Sequence, residues 1–139
     1  MRKKAGTLRA LVAKADRTFS RFIRLRDADE NGDISCCTCR RSLPWNESHA
    51  CHFVRRQHMS VRWDERNVHA GCPKCNVFQG GNLDEYSAFI IGRYGMGTFN
   101  ELLSKKHETK KWTRPELEEL IQKYSERVLA LENSGKLLS

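Results

Sequence analysis

The sequence predicts an α+β fold in which a small metal-stapled central segment lies between helices at both ends of the chain. Apolar residues recur at helical spacing towards both termini, whereas residues 34–75 show only short segments and turns. Two Cys-x-x-Cys pairs bracket that central part. With 139 residues, 39% of them hydrophobic and 30% charged, the chain has the size and composition of a single folded domain spanning residues 1–139.

The N-terminal part, residues 1–26, is predicted to be a basic amphipathic helix. Its apolar residues recur three or four positions apart between Leu8 and Ile23. Residues 1–26 carry nine Lys or Arg and one Asp, a net charge of +8, whereas the remaining 113 residues contain sixteen basic and sixteen acidic side chains. A basic arm on a neutral body indicates a polyanionic partner, most often nucleic acid. The alternative is a helix face that is basic only for solubility.

The C-terminal part, residues 83–139, is predicted to be helical. One helix is expected to begin with Asn82 as its cap and to stop at Gly95, and a short helix follows around Thr98–Leu103. The last helix opens at Thr113 with a capping box. We expect the apolar stripe of this last helix to face the core, with a dimer interface as the alternative.

Four cysteines form the strongest chemical pattern in the chain. They make two Cys-x-x-Cys pairs separated by 32 residues: Cys36 with Cys39, and Cys72 with Cys75. Each such turn presents two thiolates to one ion, and two turns complete the tetrahedral shell of a structural zinc. Cys37 with Cys39 would make the less common Cys-x-Cys chelate, so Cys37 is expected to be a small unliganded thiol.

No membrane partner is expected. No apolar run approaches the roughly 18 residues that a membrane span requires, and no signal segment is predicted. We therefore expect a cytoplasmic protein. Thiols stay reduced in that compartment, which favours metal binding over disulfides for the six cysteines.

The residues between and behind the zinc pairs resemble a known family. His52, Asn67 and Asn76, within the Cys-x-x-Cys…Cys-x-x-Cys-Asn frame, look like the HNH branch of the ββα-metal (His-Me finger) endonucleases. The strings "CHFVRR" and "VRWDERNVHAGCPKCNVFQGGNLDEY" are similar to a run of the NinG/Rap recombination proteins of lambdoid phages. The likeness covers about residues 16–132. It implies that residues 34–82 form a zinc-stapled, treble-clef-like HNH finger.

The resemblance also implies an activity. It predicts a metal-dependent DNA endonuclease that hydrolyses phosphodiester bonds of branched DNA, including Holliday junctions, in phage recombination in the host cytoplasm. In this interpretation His52 is the general base, Asn67 orients it, and Asn76 ligates a catalytic Mg²⁺ or Mn²⁺. His49 stands where the family tends to have Asp and is a further candidate ligand. His69 is either a ligand or a packing residue.

DNA contacts are expected from seven arginines, since guanidinium groups suit phosphates. They are Arg17, Arg21 and Arg24 in the first helix, and Arg55, Arg56, Arg62 and Arg66 around the finger. A symmetric junction would suit a homodimer. The alternative function is a non-catalytic, zinc-containing DNA-binding accessory protein of recombination, which would use the same zinc and the same basic helix.

Overall fold

The computed structural model describes residues 6–78 and 82–134, and in this part of the chain helices surround two small sheets. The α-helices are α1 (Leu8–Arg26), α2 (Leu83–Tyr94), α3 (Met96–Lys105) and α4 (Arg114–Glu132). The strands are β1 (Asp33–Ser35), β2 (Ser42–Pro44), β3 (His49–His52) and β4 (Val68–Gly71). Short helical turns span Trp45–Glu47 and Lys74–Phe78. The predicted α+β class is confirmed.

The first helix begins directly after its N-cap residue, Thr7. The hydroxyl of Thr7 accepts a hydrogen bond from the Ala10 N–H at 3.0 Å, so α1 starts at Leu8 rather than further upstream. Residues 1–5 of the predicted helix lie outside the described residues. The carboxylate of Asp29 then accepts the backbone N–H groups of Asn31 and Asp33, at 2.8 and 3.0 Å, and makes the polar turn that leads to β1.

The main apolar core lies between α1 and α4. It includes Ala15, Phe19, Phe22 and Ile23 from α1, and Leu117, Ile121, Tyr124 and Val128 from α4. The rings of Phe19 and Tyr124 meet edge to face, with their centroids 4.9 Å apart. The apolar stripes predicted on the first and last helices therefore pack against each other. Although both helices have 19 residues, no helix in the described ranges is apolar enough to cross a membrane.

In the C-terminal part, both ends of α2 and the start of α4 lie where they were predicted. The capping box at Thr113 is present, and Gly95, with a φ of 92°, ends α2. Asn82 is the N-cap residue of α2 and its carbonyl accepts the N–H of Tyr86 at 3.0 Å, but its φ is 51° and its side chain makes no capping hydrogen bond. Its amide instead lies 3.7 Å from the sulfur of Cys75. The short third helix is longer than predicted and spans Met96–Lys105.

The central part of the chain folds into two antiparallel hairpins. Strand β1 pairs with β2, and β3 pairs with β4 so that Cys51 lies opposite His69 and His52 lies opposite Val68. Side chains alternate between the faces of a strand. Ala50 and His52 therefore face one side of the β3–β4 hairpin, whereas Cys51 and His69 face the other.

The core of α4 can be tested with two leucine substitutions in the same helix. Leu117 is completely buried, whereas Leu129 is 58% exposed. We expect Leu117→Ala to lower the free energy of unfolding by about 3 kcal/mol, because it leaves a cavity, and Leu129→Ala to change it by less than about 0.5 kcal/mol. Urea denaturation of the two variants measures this difference. Equal losses would contradict the packing of α4 on α1.

Candidate metal centre and nucleic-acid interface

The four predicted cysteines come together at one point. The sulfur atoms of Cys36, Cys39, Cys72 and Cys75 all lie within 4.8 Å of one another, and those of Cys39 and Cys72 are 3.7 Å apart. A tetrahedral zinc with Zn–S bonds of about 2.3 Å separates its sulfurs by about 3.8 Å. The donor set and its spacing therefore fit a zinc ion held by four thiolates.

Backbone geometry positions these thiols. Cys36 directly follows β1 and Cys72 directly follows β4, so the cluster joins the ends of the two sheets. The Cys72 N–H lies 3.2 Å from the sulfur of Cys36, and the Cys75 N–H lies 3.5 Å from the sulfur of Cys72. Such donors stabilise thiolate charge. A zinc ion bound here would have a closed four-ligand shell, so its contribution would be structural.

The other two cysteines are outside this cluster. Cys37 and Cys51 are both buried, in the second apolar core around Tyr86. A Cβ atom at Gly71 would lie 2.7 Å from the sulfur of Cys51, so the backbone of β4 can approach this sulfur only at a glycine. Cys37 is thus a buried thiol next to the cluster, and the choice of Cys36 over Cys37 agrees with the structure.

A depression of about 520 Å³, here called the α1–β3 cleft, lies between α1 and the β3–β4 hairpin. It brings together His52 and Asn76, two of the three residues predicted to be catalytic. The Nε2 of His52 donates to the carbonyl oxygen of Arg62 at 2.9 Å. Burial lowers the pKa of His52 below its usual value, so the imidazole is neutral at pH 7.

Asn76 and His49 are hydrogen-bonded to each other. The Nδ2 of Asn76 lies 3.1 Å from the Nδ1 of His49, so the amide donates to the imidazole. The structure therefore brings the two candidate ligands of a second metal into contact. His49 lies at the start of β3, and Asn76 lies in the turn at Lys74–Phe78 that follows the cysteine pair.

Asn67 is completely buried and joins the end of β3 to the segment that precedes β4. Its Oδ1 accepts the N–H of Val54 at 2.8 Å, and its Nδ2 donates to the carbonyl oxygens of Val54 and Val61 at 2.9 and 3.1 Å. Its own carbonyl accepts the N–H of Phe53 at 2.8 Å. These bonds hold the chain that directly follows His52.

His69 uses both ring nitrogens inside the protein. Tyr86 donates its hydroxyl hydrogen to the carbonyl of Cys51 at 2.6 Å, so Nδ1 of His69 donates to the Tyr86 oxygen at 3.2 Å. Its Nε2 then accepts from the hydroxyl of Tyr94 at 2.7 Å. Burial, with a smaller contribution from the charge of Arg26, lowers the pKa of His69 to about 3. Both ring nitrogens of His69 are thus occupied by hydrogen bonds to tyrosine hydroxyls.

The four arginines of the finger differ in what they offer to a ligand. Arg62 is held by the carboxylate of Asp16 at 2.5 and 3.0 Å, and Arg66 is held by Asp64 and Glu101 at 2.9 and 2.7 Å. The carboxylates beside Arg66 raise its pKa. Arg55 and Arg56 are exposed at the rim of the α1–β3 cleft. These two present their guanidinium groups to the cleft, where Arg56 also lies 3.9 Å from the carboxylate of Asp16.

The arginines of α1 lie along one helix face, at positions i, i+4 and i+7. Arg17 is exposed, whereas Arg21 forms an ion pair with Glu132 at 2.5 Å. The guanidinium groups of Arg21 and Arg24 lie over the ring of Trp45, at 5.0 and 5.5 Å from its centroid. This stacking was not predicted, because nothing local in the sequence connects Trp45 to α1.

Asp16 is a further organising residue that sequence reasoning missed. Its carboxylate accepts hydrogen bonds from Arg62 and from the indole N–H of Trp63, at 3.0 Å. The only acidic residue among the first 26 therefore anchors the segment after His52 to α1. Its partners are 46 and 47 positions away in the chain, so no local pattern indicates them.

The metal centre gives a prediction about stoichiometry. We expect the purified protein to carry one zinc ion per chain, and Cys72→Ser to lose it together with most of its resistance to thermal unfolding, because metal binding contributes to folding. Cys37→Ser is the matched control, since this thiol is outside the cluster. Elemental analysis and a thermal melt measure both effects. Loss of zinc in Cys37→Ser with retention in Cys72→Ser would refute this ligand set.

The buried His69 gives a prediction about pH. Its folded pKa is depressed below the unfolded value, so the unfolded state binds more protons and stability falls as pH falls below about 6.5. Between pH 7.5 and 5.5 we expect His69 to contribute a loss of about 1 kcal/mol. Chemical denaturation should show this loss in the wild type and in the exposed-site control His107→Gln. His69→Gln should lack that part of the pH dependence; an unchanged dependence would contradict the burial of a neutral His69.

Comparison with known proteins identifies relatives in bacteriophages. The family model described as "Bacteriophage Lambda NinG protein" matches residues 1–134. Protein ninG of Escherichia phage 933W is 31% identical over 125 residues, which cover 88% of this chain and 59% of that protein. The ninG proteins of Salmonella phage P22 and Escherichia phage lambda are each 30% identical over 125 residues, which cover 88% of this chain and 58% of each of those proteins. No solved structure matches the chain.

These comparisons correct the prediction of an HNH-type endonuclease. The family and the relatives are named only as NinG proteins, and nothing in those names records a hydrolase or endonuclease activity. The catalytic roles assigned to His52, Asn67 and Asn76 depended on that activity. The chain spans about three fifths of the length of the curated relatives it matches. With the family model covering nearly all of its residues, the chain belongs to the NinG family of bacteriophage proteins.

Proposed function

We propose that this protein is a zinc-containing DNA-binding accessory protein of phage recombination, which holds branched DNA by its phosphate backbone and does not cut it. The observation that carries the proposal is the α1–β3 cleft, because a basic helix borders it and exposed guanidinium groups stand at its rim. The branched form of the DNA is proposed from the resemblance to phage recombination proteins.

The charge of the cleft supports a polyanionic ligand. Asp16 is the one carboxylate that lines it, and Arg62 pairs with this group at 2.5 Å. His52 is neutral at pH 7, since burial lowers its pKa. Arg56 also lies 3.9 Å from the carboxylate of Asp16, with its side chain 66% exposed, whereas Arg55 makes no ion pair among the described residues. Three guanidinium groups thus share one carboxylate at the cleft, and the positive charge that remains suits phosphate oxygens.

The arginine face of α1 extends this basic surface. Ser20 lines the cleft and lies three positions after Arg17 and four before Arg24, so these arginines border the opening. Stacking on Trp45 restricts the guanidinium groups of Arg21 and Arg24 before any ligand binds. Restricting a side chain in advance lowers the entropy that it loses on binding. A phosphate backbone that follows α1 would meet three arginines on one face.

The scaffold under this surface is proposed to be of the ββα-metal kind. Strands β3 and β4 are followed by the helical turn at Lys74–Phe78, which is the order of elements that such a scaffold requires. The cysteine cluster lies at both ends of this unit, and hydrogen bonds of Asn67 stabilise the connection between its strands. In the proposed function this rigidity fixes where the arginines stand rather than positioning a reaction.

Removing the two rim arginines tests the proposal. We expect Arg55→Gln/Arg56→Gln to weaken binding to linear and four-way DNA at least about 10-fold and to lower the slope of log K against log salt by about two, because two phosphate contacts are lost. Lys106→Gln/Lys111→Gln is the matched control, since it removes the same charge outside the cleft. Fluorescence anisotropy with labelled DNA, over a range of salt concentrations, measures both quantities.

Two outcomes would overturn this function. If the control pair weakened binding as much as the rim pair, the protein would bind DNA only through its net charge. If incubation with Mg²⁺ or Mn²⁺ produced nicked strands in proportion to the protein, an accessory role without cleavage would be excluded.

A further inference from the structure

A second depression lies on the other side of the β3–β4 hairpin. It has a volume of about 270 Å³, and we call it the Arg40–Arg93 pocket; its charged and aromatic lining consists of Arg26, Asp27, Arg40, His69, Phe89 and Arg93. His69 lies opposite Cys51 in the hairpin and so points away from the face that carries His52. The Arg40–Arg93 pocket and the α1–β3 cleft therefore lie on opposite faces of one two-stranded sheet.

The charge balance of this pocket is positive. Arg26 and Asp27 form an ion pair at 2.8 Å, and this carboxylate is the one acidic side chain of the lining. His69 is neutral, because its pKa is about 3. Arg40 and Arg93 are both exposed, and within residues 6–78 and 82–134 neither makes an ion pair with a carboxylate. Two positive charges are thus uncompensated.

Both guanidinium groups lie against the same aromatic ring. The Cζ atoms of Arg40 and Arg93 each lie 5.7 Å from the centroid of the Phe89 ring. The imidazole of His69 packs edge-on against the same ring, at 4.8 Å between centroids, and keeps it in place. Like charges on one ring repel each other, and an anion bound between them would remove this repulsion.

Arg40 is held on the protein by its backbone. Its N–H donates to the carbonyl of Cys36 at 3.0 Å, in the turn that carries the first cysteine pair. Its φ is 69°, in the left-handed region that costs energy for a residue with a Cβ atom. The turn that carries the first cysteine pair therefore fixes the position of the Arg40 backbone. The location of the Arg40 side chain thus depends on the same cysteine cluster that orders the hairpin.

We propose that Arg40 and Arg93 form a second phosphate-binding site, which contacts a second DNA segment while the α1–β3 cleft holds the first. One protein molecule would then hold two duplex arms of a branched DNA on opposite faces of the hairpin. This inference rests on the proposed DNA-binding function and predicts that branched DNA binds more tightly than linear DNA.

A rival role for the two arginines is to offset the charge of the metal centre. A zinc ion with four thiolates has a net charge of −2, and Cys36 also lines this pocket. The two roles predict different losses. Charge compensation predicts that removing the arginines weakens zinc binding, whereas phosphate binding predicts that the zinc content stays the same and branched-DNA affinity falls.

The test compares two DNA molecules and three double variants of the zinc-loaded full chain. The DNAs are a four-way junction and a linear duplex as long as two of its arms. The variants are Arg40→Gln/Arg93→Gln, Arg55→Gln/Arg56→Gln, and the control Lys106→Gln/Lys111→Gln. For Arg40→Gln/Arg93→Gln we expect duplex affinity within about 2-fold of wild type and junction affinity lower by about 10-fold, with the junction salt slope reduced by about two.

The outcomes distinguish failure of the second phosphate-binding site from failure of the proposed DNA-binding function. Unchanged junction affinity in Arg40→Gln/Arg93→Gln, or equal losses on both DNAs, overturns the second site. The proposed function still stands in that case if Arg55→Gln/Arg56→Gln weakens binding to both DNAs. A lower zinc content in Arg40→Gln/Arg93→Gln assigns the arginines to the metal centre and also overturns the second site. Failure of the wild type to bind either DNA overturns the proposed function itself.

Discussion

Strands of three or four residues bury too little apolar surface to keep two hairpins in place. The arrangement of this part of the chain therefore depends on the four cysteine sulfur atoms, which meet where β1 and β4 end. A zinc ion held by the four thiolates would supply the missing stability. Both proposed phosphate sites depend on this arrangement. Arg40 stands in the first cysteine turn, and the cleft is formed by the hairpin whose end the second pair fastens.

Carboxylate partners and burial then determine which charges remain for a ligand. Asp16 neutralises Arg62, and Asp64 with Glu101 neutralises Arg66, so these arginines build the fold. Burial keeps His52 and His69 neutral, which removes two further charges from the surfaces beside them. The net charge of +8 is therefore a poor guide to the proposed DNA interface. For the proposed DNA contacts the exposed guanidinium groups matter, and the structure places Arg55 and Arg56 at one depression and Arg40 and Arg93 at another.

The correction of the enzyme prediction has a physical explanation in the same residues. A structural zinc, a basic helix and a well-ordered hairpin serve equally to position DNA and to position a reaction, and the sequence pattern contains all three. His52 in a cleft, with Nε2 bound to a backbone carbonyl, satisfies the pattern without establishing an activity. The names of the relatives support membership in the NinG family and support nothing about hydrolysis.

The sequence by itself determined the features that depend on local spacing. The two Cys-x-x-Cys turns, the capping box at Thr113 and the apolar stripes of α1 and α4 all follow from residues within a few positions of one another. Only the tertiary structure decided which side chains meet across long separations. Asp16 with Arg62, Trp45 with Arg21, and Arg40 with Phe89 are such contacts. No local pattern predicts them, because their geometry comes from the packing of elements that are distant in the chain.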